Sequence, residues 1–154
     1  MRAFLIDPAE RRADVIDVQS WDQMKELIGA DIMADLLLDE GQIEDLHNQP
    51  VRVSLFHDDD GMLKEDNAAF VYIHKERVVL AGKVVMAAYY IDDEGDMHFL
   101  DLGMPVEMLQ FFFLFEGKTS SDYRIKTSSG TAPDGTFVVK QELEEVTDED
   151  PEAR

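Results

Sequence analysis

The 154-residue chain contains no cysteine. That excludes disulfides, thiolate nucleophiles and zinc or iron–sulfur centres held by Cys, and it accords with a cytoplasmic location. Long apolar runs are also missing. The longest stretches fall well short of the roughly 20 residues that span a bilayer, so a soluble protein is expected. Near the start, Phe4-Leu5-Ile6 gives way at once to Asp7-Pro8, too soon for the apolar core of a secretory leader. Positive charge is scarce as well: 14 Lys+Arg stand against 34 Asp+Glu, a formal net charge of −20. The basic residues are scattered, with Lys75, Arg77 and Lys83 near one another. No basic face for nucleic acid can be argued from them, and an anionic membrane surface would repel the chain.

What is present is a globular composition under a heavy load of like charge. Apolar residues make up 45% of the chain, with nine Phe, four Tyr and one Trp. A disordered acidic chain would be poor in such residues. One domain over residues 1–141 followed by an acidic flexible tail over 142–154 is the expected organisation. The charge far exceeds the net 2–8 or so that keeps a small domain soluble. Self-repulsion of that size destabilises the compact state and calls for a cationic partner, a salty environment or an acidic lineage. Adaptation to salt is disfavoured by equal numbers of Lys and Arg and by abundant Met and Phe.

Along the chain, Phe4–Ile6 and Ala13–Val18 read as strands joined by a hairpin around Asp7–Arg12. Ser20 is an N-cap signal, Trp21, Met24, Leu27 and Ile28 recur at helical spacing, and Gly29 is a C-terminal stop. Residues 31–39 fit either a helical face or a strand, and Gly41–Pro50 reads as loop. Val51–Phe56, Phe70–Ile73, Val78–Ile91 with a break near Gly82, and Met97–Leu102 after the Asp92–Asp96 turn read as strands. Met104–Phe115 suits a helix with Pro105 in its first turn. Its Phe111–Phe115 run is too apolar all round for a surface helix, which assigns it to the core or, as the alternative, to a homodimer contact. Residues 117–135 read as loops, with a short strand at Asp122–Lys126 and a last one at Phe137–Val139. The expected fold class is α+β, a mostly antiparallel sheet with two or three helices.

Motifs that carry chemistry are few. Placing Gly61 or Gly95 at the sixth position of a calcium loop puts Phe56 or Tyr90 where the first carboxylate belongs, so both Asp-rich turns fail that pattern. Gly117-Lys118-Thr119 echoes a phosphate loop, but Phe112 stands where its first Gly would be. His47, His57, His74 and His98 have no metal-ligand spacing to one another. No catalytic residue, cofactor or metal is assigned, and the reading is that the protein is not an enzyme.

Several short elements carry a likeness. They are Arg2-Ala3-Phe4-Leu5-Ile6-Asp7-Pro8, Leu27-Ile28-Gly29, Asp59-Asp60-Gly61-Met62-Leu63-Lys64, Leu80-Ala81-Gly82-Lys83 and the Asp92–Asp96 turn. Over about residues 2–101 the arrangement resembles a family of small uncharacterised domains of bacteriophages and mobile elements, a domain of unknown function. The resemblance implies a phage or plasmid origin and a compact α+β domain. It brings no catalytic residue.

The function expected from the charge is DNA mimicry. Duplex DNA carries one negative charge per roughly 1.7 Å of axis, and an array of carboxylates at similar spacing fits the cationic cleft of a DNA-binding host protein involved in defence, repair, nucleoid structure or transcription. The candidate surface is Asp31, Asp35, Asp39, Glu40, Glu44 and Asp45, then Asp58, Asp59, Asp60, Glu65 and Asp66, then Asp92, Asp93, Glu94 and Asp96. On a helix Asp31, Asp35 and Asp39 would form one acidic stripe. The alternative is a module that sequesters a small molecule such as a nucleotide, or binds a protein, with charge serving only solubility. A nucleotide would need cations drawn from Lys75, Arg77, Lys83, Arg124 and Lys126.

Overall fold

The computed structural model describes residues 1–40, 50–73 and 77–146, with Glu40 and Ile125 described by backbone alone. Its elements run β1 (Arg2–Asp7), β2 (Arg12–Asp17), α1 (Trp21–Ile28), β3 (Met33–Glu40), β4 (Arg52–Asp58), β5 (Ala69–Ile73), β6 (Arg77–Ala81), β7 (Val84–Ile91), β8 (Met97–Leu100), β9 (Phe113–Leu114), β10 (Tyr123–Thr131) and β11 (Phe137–Glu145). Short 3-10 turns occupy Gly61–Leu63, Val106–Phe111 and Ser120–Asp122.

The apolar strand β7 organises the body. It lies between β1 and β4 in a six-stranded antiparallel sheet of order β2-β1-β7-β4-β3, and β8 continues the β1 edge by pairing with its far half. Successive strand residues face opposite sides, so Val84, Met86 and Ala88 enter one core while Val85, Ala87 and Tyr89 enter another. On the first side Phe4, Ile6 and Leu55 pack against a three-stranded sheet, β6-β5-β9, through Phe70, Tyr72, Leu80 and Phe113. On the second side Phe56, Val18 and Ala3 pack against Met24 and Ile28 of α1. The body is thus a helix, a large sheet and a small sheet in three layers.

Helix α1 forms as its sequence predicts. Ser20 accepts a hydrogen bond from the Gln23 backbone N–H at 3.1 Å, and Gly29, at φ 75°, closes the helix in the left-handed conformation that suits glycine. Trp21 meets Phe56 edge to face at 5.7 Å. The β1–β2 hairpin and the strands around Gly82 also follow the expectation.

The fold class does not. Strands hold 52% of the described residues and helices 15%, and among them α1 is the one helix of seven residues or more, so the protein is essentially all-β rather than α+β with two or three helices. Two segments account for the difference. Residues 33–40 form β3, because the edge of β4 offers a ladder from Met33↔Asp58 to Glu40↔Arg52. Met104–Phe115 is a 3-10 turn followed by β9, which adds Phe113 and Leu114 to β5 opposite Tyr72 and Val71. Its aromatic residues suit a pleated surface better than a helix. Phe113 is buried while Phe111 is 73% exposed.

The region expected as loops and tail, with short strands at Asp122–Lys126 and Phe137–Val139, holds a third sheet whose strands are longer than expected. Strands β10 and β11 pair in unbroken register from Tyr123↔Glu145 to Thr131↔Phe137. Glu142, Glu144 and Glu145, expected in the flexible tail, are therefore strand residues. Residues 41–49, expected as loop, and residues 147–154, expected as tail, lie outside the described residues.

Candidate protein-binding surface

The expected acidic stripe on a helix does not form. Asp35 and Asp39 belong to β3, and a bulge at Leu38 separates them. Asp35 lies opposite Phe56, which enters the helix-side core; Asp39 lies opposite Val53, which packs toward the small sheet. The two carboxylates therefore start from opposite faces of the sheet, both exposed.

The register gathers the acids instead at the two ends of the large sheet. At one end, the Asp59 N–H donates to the Ile32 carbonyl at 3.0 Å, bringing the start of β3 beside the end of β4. Asp31, Asp58, Asp59 and Asp60 meet there, with Glu65 and Asp66 a few residues on. Lys64 is set among them. Its ammonium pairs with Asp58, and that hydrogen bond raises it above the usual lysine range, with the charges of Asp58, Asp31 and Asp60 adding to the effect. At the other end lie Asp39, the backbone of Glu40 opposite Arg52, and the turn Asp92–Asp96 that follows β7. The eight residues of β7 separate the ends by about 25 Å at ~3.4 Å per residue.

The acids divide by role. Asp58 is buried; its Oδ1 accepts the Asp60 N–H at 3.0 Å, so it shapes the turn after β4. Asp92 does the same for the β7–β8 turn. Its Oδ1 accepts the Glu94 and Asp96 N–H groups at 2.9 Å each, and its Oδ2 lies 2.7 Å from His98 Nε2. The hydrogen bond from His98, followed by that from the Asp96 backbone, holds the Asp92 carboxyl below the usual range. Asp31, Asp35, Asp39, Asp59, Asp60, Glu65, Asp66, Asp93, Glu94 and Asp96 are exposed. Among the described residues, none of Asp31, Asp59, Asp60, Glu65, Asp66, Asp39, Glu94 or Asp96 is within 4.0 Å of a cationic nitrogen. Glu44 and Asp45 lie outside the described residues.

One polar cluster escaped the sequence reading. Ser54, fully buried, lies 2.9 Å from the hydroxyl of buried Tyr89, and Asp35 Oδ2 approaches both at 3.4 and 3.5 Å. The signal was weak: one serine inside an apolar strand, V-S-L-F. The cluster satisfies polar atoms at the helix-side core, and Ser54 is too deep to meet a substrate.

The described cations proposed for a nucleotide pocket belong to β6, the turn that follows it and β10, where Lys126 is exposed. Arg77 pairs with Glu116 at 3.7 Å, Arg124 with Glu144 at 3.3 Å, and Lys83 sits at the other end of β6 from Arg77; Lys75 lies outside the described residues. A cleft of about 280 Å³ does exist elsewhere, between β2 and the 3-10 turn before β9. Leu109, Phe113 and Phe115 line it together with Arg11 and Arg12, and Arg12 Nε donates to Asp14 Oδ2 at 2.9 Å.

No family model matches the chain, and no curated protein or solved structure matches it.

Proposed function

We propose that the protein is an acidic decoy that occupies the DNA-binding cleft of a cationic protein, and that the two ends of the large sheet are its contact points. The observation that carries the reading is the placement of exposed carboxylates that have no cationic nitrogen within 4.0 Å among the described residues: Asp31, Asp59, Asp60, Glu65 and Asp66 at one end, Asp39, Glu94 and Asp96 at the other. A single hydrogen-bonded sheet holds both ends, so their spacing is fixed before binding, which limits the entropy lost on association. About 25 Å corresponds to roughly seven base-pair steps at 3.4 Å per step. A cleft that grips a duplex over such a length would shed its own bound anions to the decoy as it does to phosphates. A phage or mobile-element setting would supply such targets.

The test is capture from lysate of a candidate host, with nuclease present, followed by competition with duplex DNA. Capture of one DNA-binding protein, weakened steeply by salt and displaced by duplex, is the expected result. Reversing Asp59 and Asp60 to Lys should weaken capture more than removing residues 147–154. Equal losses would reduce the reading to diffuse charge attraction.

The cleft beside Arg11 and Arg12 favours one second reading, in which the protein holds a small anion with an apolar body and the surface charge serves solubility. Titration with a medium-chain fatty carboxylate separates the two: saturable binding lost in Arg12→Ala, with no lysate capture, would favour the cleft.

A further inference from the structure

We propose that the β10–β11 arm is a self-association element: β11 of one chain pairs antiparallel with β11 of a second copy about a two-fold axis at Gln141, joining two hairpins into one four-stranded sheet.

The arm is a sheet without a body. Strands β10 and β11 pair with each other over nine residues, and among the described residues no further strand joins either outer edge. A lone two-stranded ribbon is marginal in water, and stability requires a third strand or a packing partner. The exposed side chains point the same way. Phe137 is 69% exposed, Val139 56% and Leu143 41%. These three share one face of β11, and the register sets Thr131, Ser129 and Thr127 beside Phe137, Val139 and Gln141 on that face. In a chain that is 31% charged, the face from Thr127 to Leu143 carries no charged side chain.

Charge selects a second copy as the occupant. Each of the three acids of β11 has a cation of its own chain, Glu142 with Lys140, Glu144 with Arg124 at 3.3 Å and Glu145 with Lys118, so this edge can meet its counterpart with its charges locally balanced. Charge also selects the register. A two-fold axis at any residue keeps both apolar faces on one side, because opposed residues of an antiparallel pair share a face, but an axis at Lys140 or Glu142 would set that charge against its own copy. With the axis at Gln141, Val139 lies opposite Leu143 of the second copy. On the reverse face Lys140 of each chain lies opposite Glu142 of the other. Lys140 Nζ already lies 2.6 Å from Glu142 of its own strand, so the four charges would alternate around the axis. With the axis at Leu143, Glu142 would face Glu144, a like-charge contact across the ladder. With the axis at Val139, Lys140 would face Val138 and gain nothing.

The absence of native cysteine makes the register directly testable. Opposed residues of an antiparallel pair have Cα atoms about 4.5–5.5 Å apart, inside the range of about 4.4–6.8 Å that a disulfide spans. Gln141→Cys should therefore cross-link to a dimer under mild oxidation. Thr136→Cys, about 30 Å from its counterpart in this register, should not. By sedimentation equilibrium the unmodified protein should show twice its 17.5 kDa chain mass. Lys140→Glu should weaken the dimer about tenfold or more with an unchanged far-ultraviolet dichroism spectrum, and Lys140→Glu combined with Glu142→Lys should restore it. Mass at the monomer value throughout, equal cross-linking at both positions, or a dimer indifferent to Lys140→Glu would each overturn the proposal. Because these readouts need no target protein, they stand or fall apart from the decoy reading.

Discussion

The body and the arm are made of the same strand chemistry and live under opposite conditions. In β7 both faces are covered, and Val84–Tyr89 are buried without exception. In β11 neither face is covered, and one residue of the nine is even half-buried. Both strands satisfy the backbone on at least one edge. What separates them is side-chain burial, at about 25 cal/mol per Å² of apolar surface removed from water. Pairing register alone makes a strand; only a facing layer makes it stable.

The largest expected effect lies in the body core. Phe56→Ala empties a fully buried site against Trp21 and Tyr89 and should cost about 3–5 kcal/mol in chemical unfolding. Val139→Ala in the arm should cost no more than about 0.5 kcal/mol under the same denaturant. Equal costs would mean that the arm is packed against something in solution.

A glycine pair tests the same contrast through backbone space. A Cβ on Gly61 would sit 2.5 Å from the Ala81 carbonyl oxygen, whereas one on Gly130 in β10 meets nothing within 4 Å. Gly61→Ala should therefore lose about 1–3 kcal/mol, and Gly130→Ala should be neutral or gain up to about 1 kcal/mol by restricting the unfolded chain. Thermal melts of the two variants decide it.

A smaller effect concerns the joint between the regions. Lys118 pairs with Glu145 at the base of the arm and lies 3.7 Å from Glu116, and the Glu145 hydrogen bond raises its ammonium above the usual lysine range. Lys118→Ala should speed amide exchange in 123–145 while leaving β7 unchanged. Faster exchange throughout would show that the arm and body unfold together.

The smallest effects are in two hairpin turns. Asp92 is held low first by His98; Asp134, whose Oδ1 accepts the Thr136 N–H at 2.9 Å, is held low first by the Thr136 side chain. A carboxylate depressed in the folded state contributes stability that is fully present above its unfolded value of about 3.9 and fades as pH falls through the folded value. Both turns should loosen below about pH 4. In a carbon-detected titration, His98→Ala should move Asp92 upward and leave Asp134 in place, and Thr136→Ala should do the reverse.

How much was legible from sequence differs between the two regions for a physical reason. In the body, local signals and burial agree. Ser20 and Gly29 bracket a helix whose spacing already marks its buried face, and Asp92–Asp96 lies between two apolar runs that pair. Where two local answers were open, as at residues 31–39, the neighbouring strand decided. That choice took the Asp31, Asp35 and Asp39 stripe with it, since a helical face and a bulged strand distribute the same carboxylates differently. In Met104–Phe115 the helical reading used Pro105 correctly as a start but had no means of seeing the open edge of β5. In the arm the sequence shows only short strands at Asp122–Lys126 and Phe137–Val139 among loops, because Thr, Ser and Gly dominate β10 and no alternating apolar pattern marks it. Its long register depends on β11, whose half of the pattern, F-V-V-K-Q-E-L-E-E, dissolves into what reads as an acidic tail.

Sequence by itself determined what this protein can form locally: a capped helix, tight Asp-Gly turns, apolar strands, and an excess of negative charge that must lie on the surface because burying it unpaired is prohibitive. Tertiary structure alone decided which strand lies beside which, and therefore where that charge collects. Ladder partners are chosen by long-range pairing, which no local spacing encodes. The two acidic ends and the uncovered arm both follow from that choice.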